Sequence, residues 1–104
     1  MCPKYERVVE ILGKRWTGLI LRSLMERPRR FTEIKIYVDG LSERLLSERL
    51  KELEEVGIVE RRVYTERPVW VEYALTEKGR DLRRVVEAIQ KWADRWVVVA
   101  EAVP

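Results

Sequence analysis

Apolar positions along this chain recur in two rhythms, and the switch between them marks its elements. Tyr5, Val8, Val9 and Leu12 stand at helical spacing, in a segment that starts beside Pro3, where a missing amide costs nothing, and ends at Gly13. From Trp16 to Met25 the chain is apolar on most faces (Trp16, Leu19, Ile20, Leu21, Leu24), which predicts a central buried helix stopped by Pro28. Arg29-Arg30-Phe31 reads as a short extended link. A third helix, Thr32 to Val38, turns Ile34, Tyr37 and Val38 inward and closes at Asp39-Gly40, a good turn dipeptide. Ser42 is an N-cap candidate for a helix from Glu43 to Glu55, with Leu46, Leu50 and Leu53 inward and Gly57 where a left-handed residue often closes a helix. The rhythm then changes. Ile58 to Glu66 and Val69 to Leu75 are rich in β-branched and aromatic residues, joined through Arg67-Pro68, and predict a hairpin. Thr76 offers a second N-cap, for one long C-terminal helix whose seam is Leu82, Val85, Val86, Ile89, Trp92, Ala93 and Trp96.

Helices, a tight turn into a further helix, a hairpin and a closing helix give a mainly α chain with a small β-hairpin. That order is the pattern of a winged helix-turn-helix. The expectation is a single domain over residues 1–104, with a recognition helix at about 43–55, a wing at about 58–75 and a C-terminal dimerisation helix at about 77–97. So wide an apolar face has little to hide behind in a small domain. The expected solution is a homodimer formed by the terminal helices through Tyr5, Val8, Val85, Ile89, Trp92 and Trp96. The seam near Trp92 and Trp96 could instead line a ligand pocket, although such residues are more often core.

Composition narrows the function. Charged residues make up 38% of the 104 positions, yet the net charge is only +3, so basic groups must be concentrated to matter for nucleic acid. Arginine outnumbers lysine, and its planar fork suits phosphate. The same charge-rich, amide-poor composition also fits a thermophile. One cysteine precludes an internal disulfide and fits a reducing cytoplasm. No signal-like stretch and no membrane span is visible, so a cytoplasmic protein with no membrane partner is expected. The chain has no histidine, no glycine-rich phosphate loop and no zinc-spaced cysteines. An enzyme is not expected, nor a cofactor or a metal.

Several segments carry a family likeness: Cys2-Pro3, Gly13-Lys14-Arg15-Trp16-Thr17 running into Leu19-Ile20-Leu21-Arg22, and Arg29-Arg30-Phe31-Thr32-Glu33-Ile34. Leu50 to Arg61 and Val71 to Gly79 complete the set. In this order and spacing, from Cys2 to about Trp96, the chain resembles the HxlR-type family of bacterial and archaeal transcriptional regulators, relatives of the MarR group. The resemblance implies a dimeric winged-helix regulator of duplex DNA, more commonly a repressor. Three departures stand out. The wing charge sits at Arg67, before Pro68, rather than near Trp70. Ile36 occupies a place where the family tends to be polar. The chain also stops soon after its last helix, so no appended effector domain is expected.

With Leu46, Leu50 and Leu53 inward, steps of about 100° per residue turn Arg44, Glu48, Lys51 and Glu55 outward, with Ser47 beside them. The N-terminal part of a recognition helix enters the major groove, which selects Arg44, Ser47, Glu48 and Lys51 as readers of base edges. Ser42 and Thr32, at helix starts, suit phosphates, as do Arg29 and Arg30. Arg67 suits a minor groove. Glu48 and Lys51 could equally be solvated charges. Arg49 faces the core side and reads as a structural ion pair with a neighbouring helix, and at most one of Arg61 and Arg62 can face DNA. The acidic run Glu52, Glu54 and Glu55 should lie away from the duplex. Cys2 keeps two readings. The resemblance makes it a sensor of quinones, aldehydes or oxidants, and a helix N-terminus beside Lys4 and Arg7 favours the reactive thiolate; otherwise it is an exposed terminal residue. Two other classes remain open: a winged helix used for protein contact, and a non-specific chromatin-type DNA-binding protein. No residue identifies a small-molecule effector.

Overall fold

The computed structural model describes residues 2–99. Its order is α1 (Pro3–Leu12), α2 (Thr17–Glu26), α3 (Phe31–Tyr37), α4 (Glu43–Glu55), β1 (Val59–Tyr64), β2 (Trp70–Leu75), α5 (Glu77–Asp81) and α6 (Arg83–Trp96). One apolar cluster joins them. Ile20, Leu21 and Leu24 from α2, Ile34 and Val38 at α3, Leu41, and Leu46, Leu50 and Leu53 from α4 close against Ile58, Val59 and Leu75 of the hairpin. The three inward α4 leucines are each no more than 1% exposed, and the apolar area they remove from water is the main term holding the helix.

The α4 helix follows the sequence closely. The Ser42 hydroxyl accepts from the Leu45 amide at 3.1 Å, and Gly57 closes the far end at φ +77°, a conformation that costs other residues more. Antiparallel pairing runs from Val59 opposite Leu75 to Tyr64 opposite Trp70. The strands are shorter than the alternation suggested, because residues 65–69 form the connecting turn and make no cross-strand pairs. A third short contact supports the hairpin: the Arg29 amide donates to the Tyr73 carbonyl at 2.9 Å, and the Tyr73 amide returns a bond to the Arg29 carbonyl at 2.7 Å.

Five local expectations are corrected. The third helix begins at Phe31 with Arg30 as its N-cap, so Thr32 lies inside the first turn, because the Glu33 carboxylate reaches back to the Arg30 amide at 2.8 Å. That bond first, and the Arg27 guanidinium next, hold the Glu33 carboxyl below its usual range. Leu19 is half exposed on α2, whose inward face is Ile20, Leu21 and Leu24, and Tyr37 is partly exposed with its hydroxyl donating to Glu26. Trp16 is not helical: it caps α2 in a left-handed conformation. The long C-terminal helix is interrupted at Leu82, where bonding tightens to three-residue spacing, from the Leu82 amide to the Gly79 carbonyl (3.1 Å) and from the Val85 amide to the Leu82 carbonyl (3.0 Å).

No residue of α1 or α6 is fully buried, and α1 adds only the part-buried Ile11 and Leu12 to the edge of the core. Two polar links tie α6 back to α2, from the Arg83 guanidinium to the Met25 carbonyl at 2.6 Å and from Arg22 to Gln90. Among the described residues, no helix is long and apolar enough to cross a membrane.

The junction of the α1–α2 loop with α4 is ionic. Glu52 accepts from Lys14 and from Arg49, the latter at 2.8 Å. The Lys14 ammonium, with the Arg49 guanidinium, holds the Glu52 carboxyl below its ordinary value of 4.5. A depressed carboxyl stabilises the fold above its unfolded value and loses that contribution as pH falls through the folded one. Glu52→Gln is therefore expected to melt below wild type at neutral pH, with the gap closing below about pH 4.5. Melting temperatures across an acid series check this, and a gap constant down to pH 3 would refute it.

Candidate nucleic-acid interface

Core packing of its leucines aims the opposite face of α4 at solvent. Arg44 stands furthest out, its side chain 90% exposed, with only a 3.4 Å contact to Glu48 one turn along. An exposed pair of this kind is worth little, so the Arg44 fork is free to engage other acceptors. Glu48 and Lys51 are also exposed, and Ser47 is half-buried beside them. The preceding turn is fastened by the Lys35 ammonium on the Leu41 carbonyl. Arg49 lies off this face: its side chain is 17% exposed, and it donates to the Arg15 carbonyl at 3.1 Å and to Glu52. It is structural, but its carboxylate partner is on its own helix and the neighbouring segment supplies a carbonyl. Glu52 is likewise occupied, while Glu55 is exposed at the far end.

Arg29 leaves the set of candidate phosphate contacts. It is 8% exposed, with Nε donating to the Ser23 carbonyl at 2.8 Å, a terminal nitrogen 2.8 Å from Glu26, and its guanidinium 4.8 Å from the centre of the Tyr37 ring. Glu26 accepts on its other oxygen from the Tyr37 hydroxyl at 2.8 Å, and that bond, with partial burial, raises the tyrosine above the usual phenol range. Pairing with Tyr73 draws the Arg29 backbone into the sheet and its side chain beneath α3.

Arg30 turns the other way and is exposed. Its guanidinium lies 4.5 Å over the Trp70 ring, and Trp70 stacks on Tyr64 with centroids 4.0 Å apart and planes 12° from parallel. Tyr64 donates to Glu72 at 3.2 Å. Arg62 is neutralised by Glu60 at 2.7 Å and Glu72 at 3.5 Å, and the Glu60 bond pushes its pKa up further. Arg61 is exposed, as is Arg67 in the turn, and neither has an ion-pair partner among the described residues. Thr32 is exposed on α3, and Ser42 is exposed though its oxygen is occupied by capping.

Sequence reasoning left open which of Arg61 and Arg62 is unpaired, and gave Trp70 no part in the candidate site. Strand parity left one of Arg61 and Arg62 free, and the acidic neighbours Glu60 and Glu72 were the signal selecting Arg61. Tyr64 and Trp70 flank the turn symmetrically, as cross-strand aromatic pairs do.

The terminal helices carry the other candidates. Tyr5 is 69% exposed, Val8 43%, Val85 37%, Ile89 58%, Trp92 63% and Trp96 62%. Cys2, the free thiol, is exposed at the N-cap of α1 and makes no side-chain capping bond. Among the described residues, no three or more His, Cys, Asp or Glu side chains are grouped to hold a metal ion.

A capped α4 following α3 across a tight turn, its outer face charged, with a hairpin braced against α3, defines a winged helix-turn-helix DNA-binding protein. The model of the HxlR-like helix-turn-helix family matches residues 11–101, and the chain belongs to that family of transcriptional regulators, which are not enzymes. The HTH-type transcriptional regulator YodB of Bacillus subtilis (strain 168) is 52% identical over 96 residues, covering 92% of this chain and 86% of YodB. YvaP, an HTH-type regulator of the same strain, is 50% identical over 97 residues, covering 93% and 90%. The solved reduced form of YodB superposes with a TM-score of 0.89 at 50% identity, over 97% of this chain and 99% of that one. YodB is also solved diamide-treated and quinone-bound. The redox regulator HypR in its reduced form superposes with a TM-score of 0.82 at 34% identity, over 88% and 91% of the two chains.

Proposed function

We propose that this protein is a homodimeric, sequence-specific regulator, acting as a repressor, whose hold on DNA is released when Cys2 reacts with an oxidant or electrophile. The observation that carries sequence-specific binding is the α4 surface: a leucine-anchored, serine-capped helix presenting Arg44, Ser47, Glu48 and Lys51 at the end that enters a major groove. Arg44 would fork onto guanine and Glu48 would accept from cytosine. Ser42, Thr32 and Arg30 would hold phosphates, and Arg67 would approach the minor groove. Exposed cations at Arg30, Arg44, Lys51 and Arg67 favour DNA over a purely protein-binding winged helix.

The test is fluorescence anisotropy of reduced protein on a duplex from upstream of its own coding region, against a scrambled duplex at about 0.15 M salt. A preference of at least about 10³ supports a specific regulator. Equal weak binding to both favours a chromatin-type or protein-binding role, and genome-wide selection of bound sequences would then test for an operator elsewhere.

Dimerisation is supported by the amphipathic α1 and α6, which leave Tyr5, Val8, Val9, Val85, Ile89, Trp92 and Trp96 exposed on the protomer. Sedimentation at micromolar concentration is expected to give twice the monomer mass, and a monomer at that concentration would refute the assignment. In the dimer, two α4 helices would meet successive major grooves about 34–36 Å apart.

The sensing role rests on the exposed Cys2 and on the diamide-treated and quinone-bound states of YodB. Cys2 is the only cysteine, so a disulfide must join two chains or a chain and a small thiol. Diamide would accept two electrons and two protons as two thiols couple, whereas a quinone would be added to at a ring carbon, giving a thioether hydroquinone. Diamide is expected to weaken DNA binding of wild type and leave Cys2→Ser unchanged. An unmodified wild-type thiol with unchanged affinity would remove the role.

A further inference from the structure

We propose that Trp70 is a positioning residue for DNA binding: it holds the Arg30 guanidinium over its ring at the seam between α3 and the wing, so that Arg30 and the wing tip engage one DNA backbone as a unit. This rests on the DNA-binding reading above and adds a residue with no charge of its own.

Three observations converge on it. The Arg30 guanidinium sits 4.5 Å over the Trp70 ring, and Trp70 is supported from beneath by Tyr64 at 4.0 Å. The stack therefore has three layers, one from the start of α3 and two from opposite strands of the hairpin. Second, the Arg30 backbone is fixed independently, since Glu33 accepts its amide at 2.8 Å and Glu33 is itself held by Arg27 at 3.0 Å. The stack therefore anchors the wing to α3 rather than the reverse. Third, Arg30 has no carboxylate partner among the described residues of an ion-rich molecule; Glu33 takes its backbone amide and gives its other oxygen to Arg27.

The chemistry of a guanidinium makes this arrangement productive. Stacking on a ring uses the face of the cation and leaves its in-plane N–H donors directed outward. Those donors match the oxygens of a phosphate as a bidentate fork. A long arginine side chain free in solvent would lose much rotamer entropy on binding, and the ring has already removed part of that freedom. The same stack restrains the strand pair at the base of the turn that carries Arg67.

The test compares Arg30→Ala, Trp70→Leu, Trp70→Phe and the double variant Arg30→Ala/Trp70→Leu for affinity and salt dependence on the selected duplex. Leucine keeps apolar cover over Tyr64 without the aromatic face, and phenylalanine restores the face. Trp70→Leu is expected to weaken binding about tenfold and to lower the slope of log affinity on log salt by about one, the signature of a lost phosphate contact. Phenylalanine should recover most of both. Arg30→Ala should cost much less in the Trp70→Leu background than in wild type, because the tryptophan acts through the arginine. A variant weakened only by partial unfolding would lose binding-competent fraction but keep the wild-type slope, which overturns the proposal. Fully additive single effects, or Trp70→Leu binding as wild type does, would also overturn it. Absence of specific binding by wild type would instead refute the regulator reading on which this one stands.

Discussion

Gly79→Ala is expected to destabilise the fold by roughly 3 kcal/mol, an overpacking cost at the upper end of what single methyl additions produce. A Cβ at position 79 would lie 2.1 Å from the Ile58 carbonyl oxygen and 3.2 Å from a Leu75 methyl. The carbonyl is the harder obstacle, because it is backbone and already occupied. It accepts the Thr76 amide at 3.0 Å and the Thr76 hydroxyl at 3.2 Å, where the hairpin hands over to α5. Moving it breaks that corner and the cap that Thr76 gives to the Gly79 amide at 3.1 Å. Denaturant unfolding at matched protein concentration checks this. A loss under about 0.5 kcal/mol, within the usual range of surface changes, would mean that the corner opens freely.

Arg29→Ala is expected to cost about 2–3 kcal/mol of stability while leaving the salt slope of DNA binding unchanged wherever both proteins are folded. The substitution strips the Ser23 carbonyl of its donor, uncovers the Tyr37 ring and removes a long buried stem. Glu26 is largely solvated and keeps its bond from Tyr37, so no isolated buried charge is left behind. The neighbouring variant Arg30→Ala should show the reverse: near-normal stability and a shallower slope. If Arg29→Ala were stable and shallow-sloped, its guanidinium would be reaching DNA after all.

These two adjacent arginines show where sequence reasoning reaches its limit. The helix from Glu43 to Glu55 was legible because its information is local: a cap at Ser42, leucines at helical spacing and a left-handed glycine all sit within one segment. Its outward face followed from the same spacing, and Arg44 stands where that geometry put it. Arg29 and Arg30 look alike in the chain, and what separates them is tertiary. One meets a carbonyl and a carboxylate from α2; the other meets an indole from β2. The interruption at Leu82 was hidden for a different reason. The apolar seam runs through it without a glycine or proline, and only the change in backbone bonding reveals it. Leu19 was misplaced because α2 is apolar around more of its circumference than the core can cover.

The Arg29–Tyr73 bridge also bears on which edge of this small sheet is left open. It places β2, the strand holding Trp70, Val71, Tyr73, Ala74 and Leu75, between two neighbours at that point, and leaves β1 as the outer edge. An open edge is a template on which another chain can add a strand. Here that edge bears Glu60, Arg61 and Arg62 in succession, so an incoming copy in register would set like charges against like. The apolar strand is the covered one and the charged strand is the bare one, which disfavours sheet-to-sheet aggregation when the protein is crowded at high local concentration.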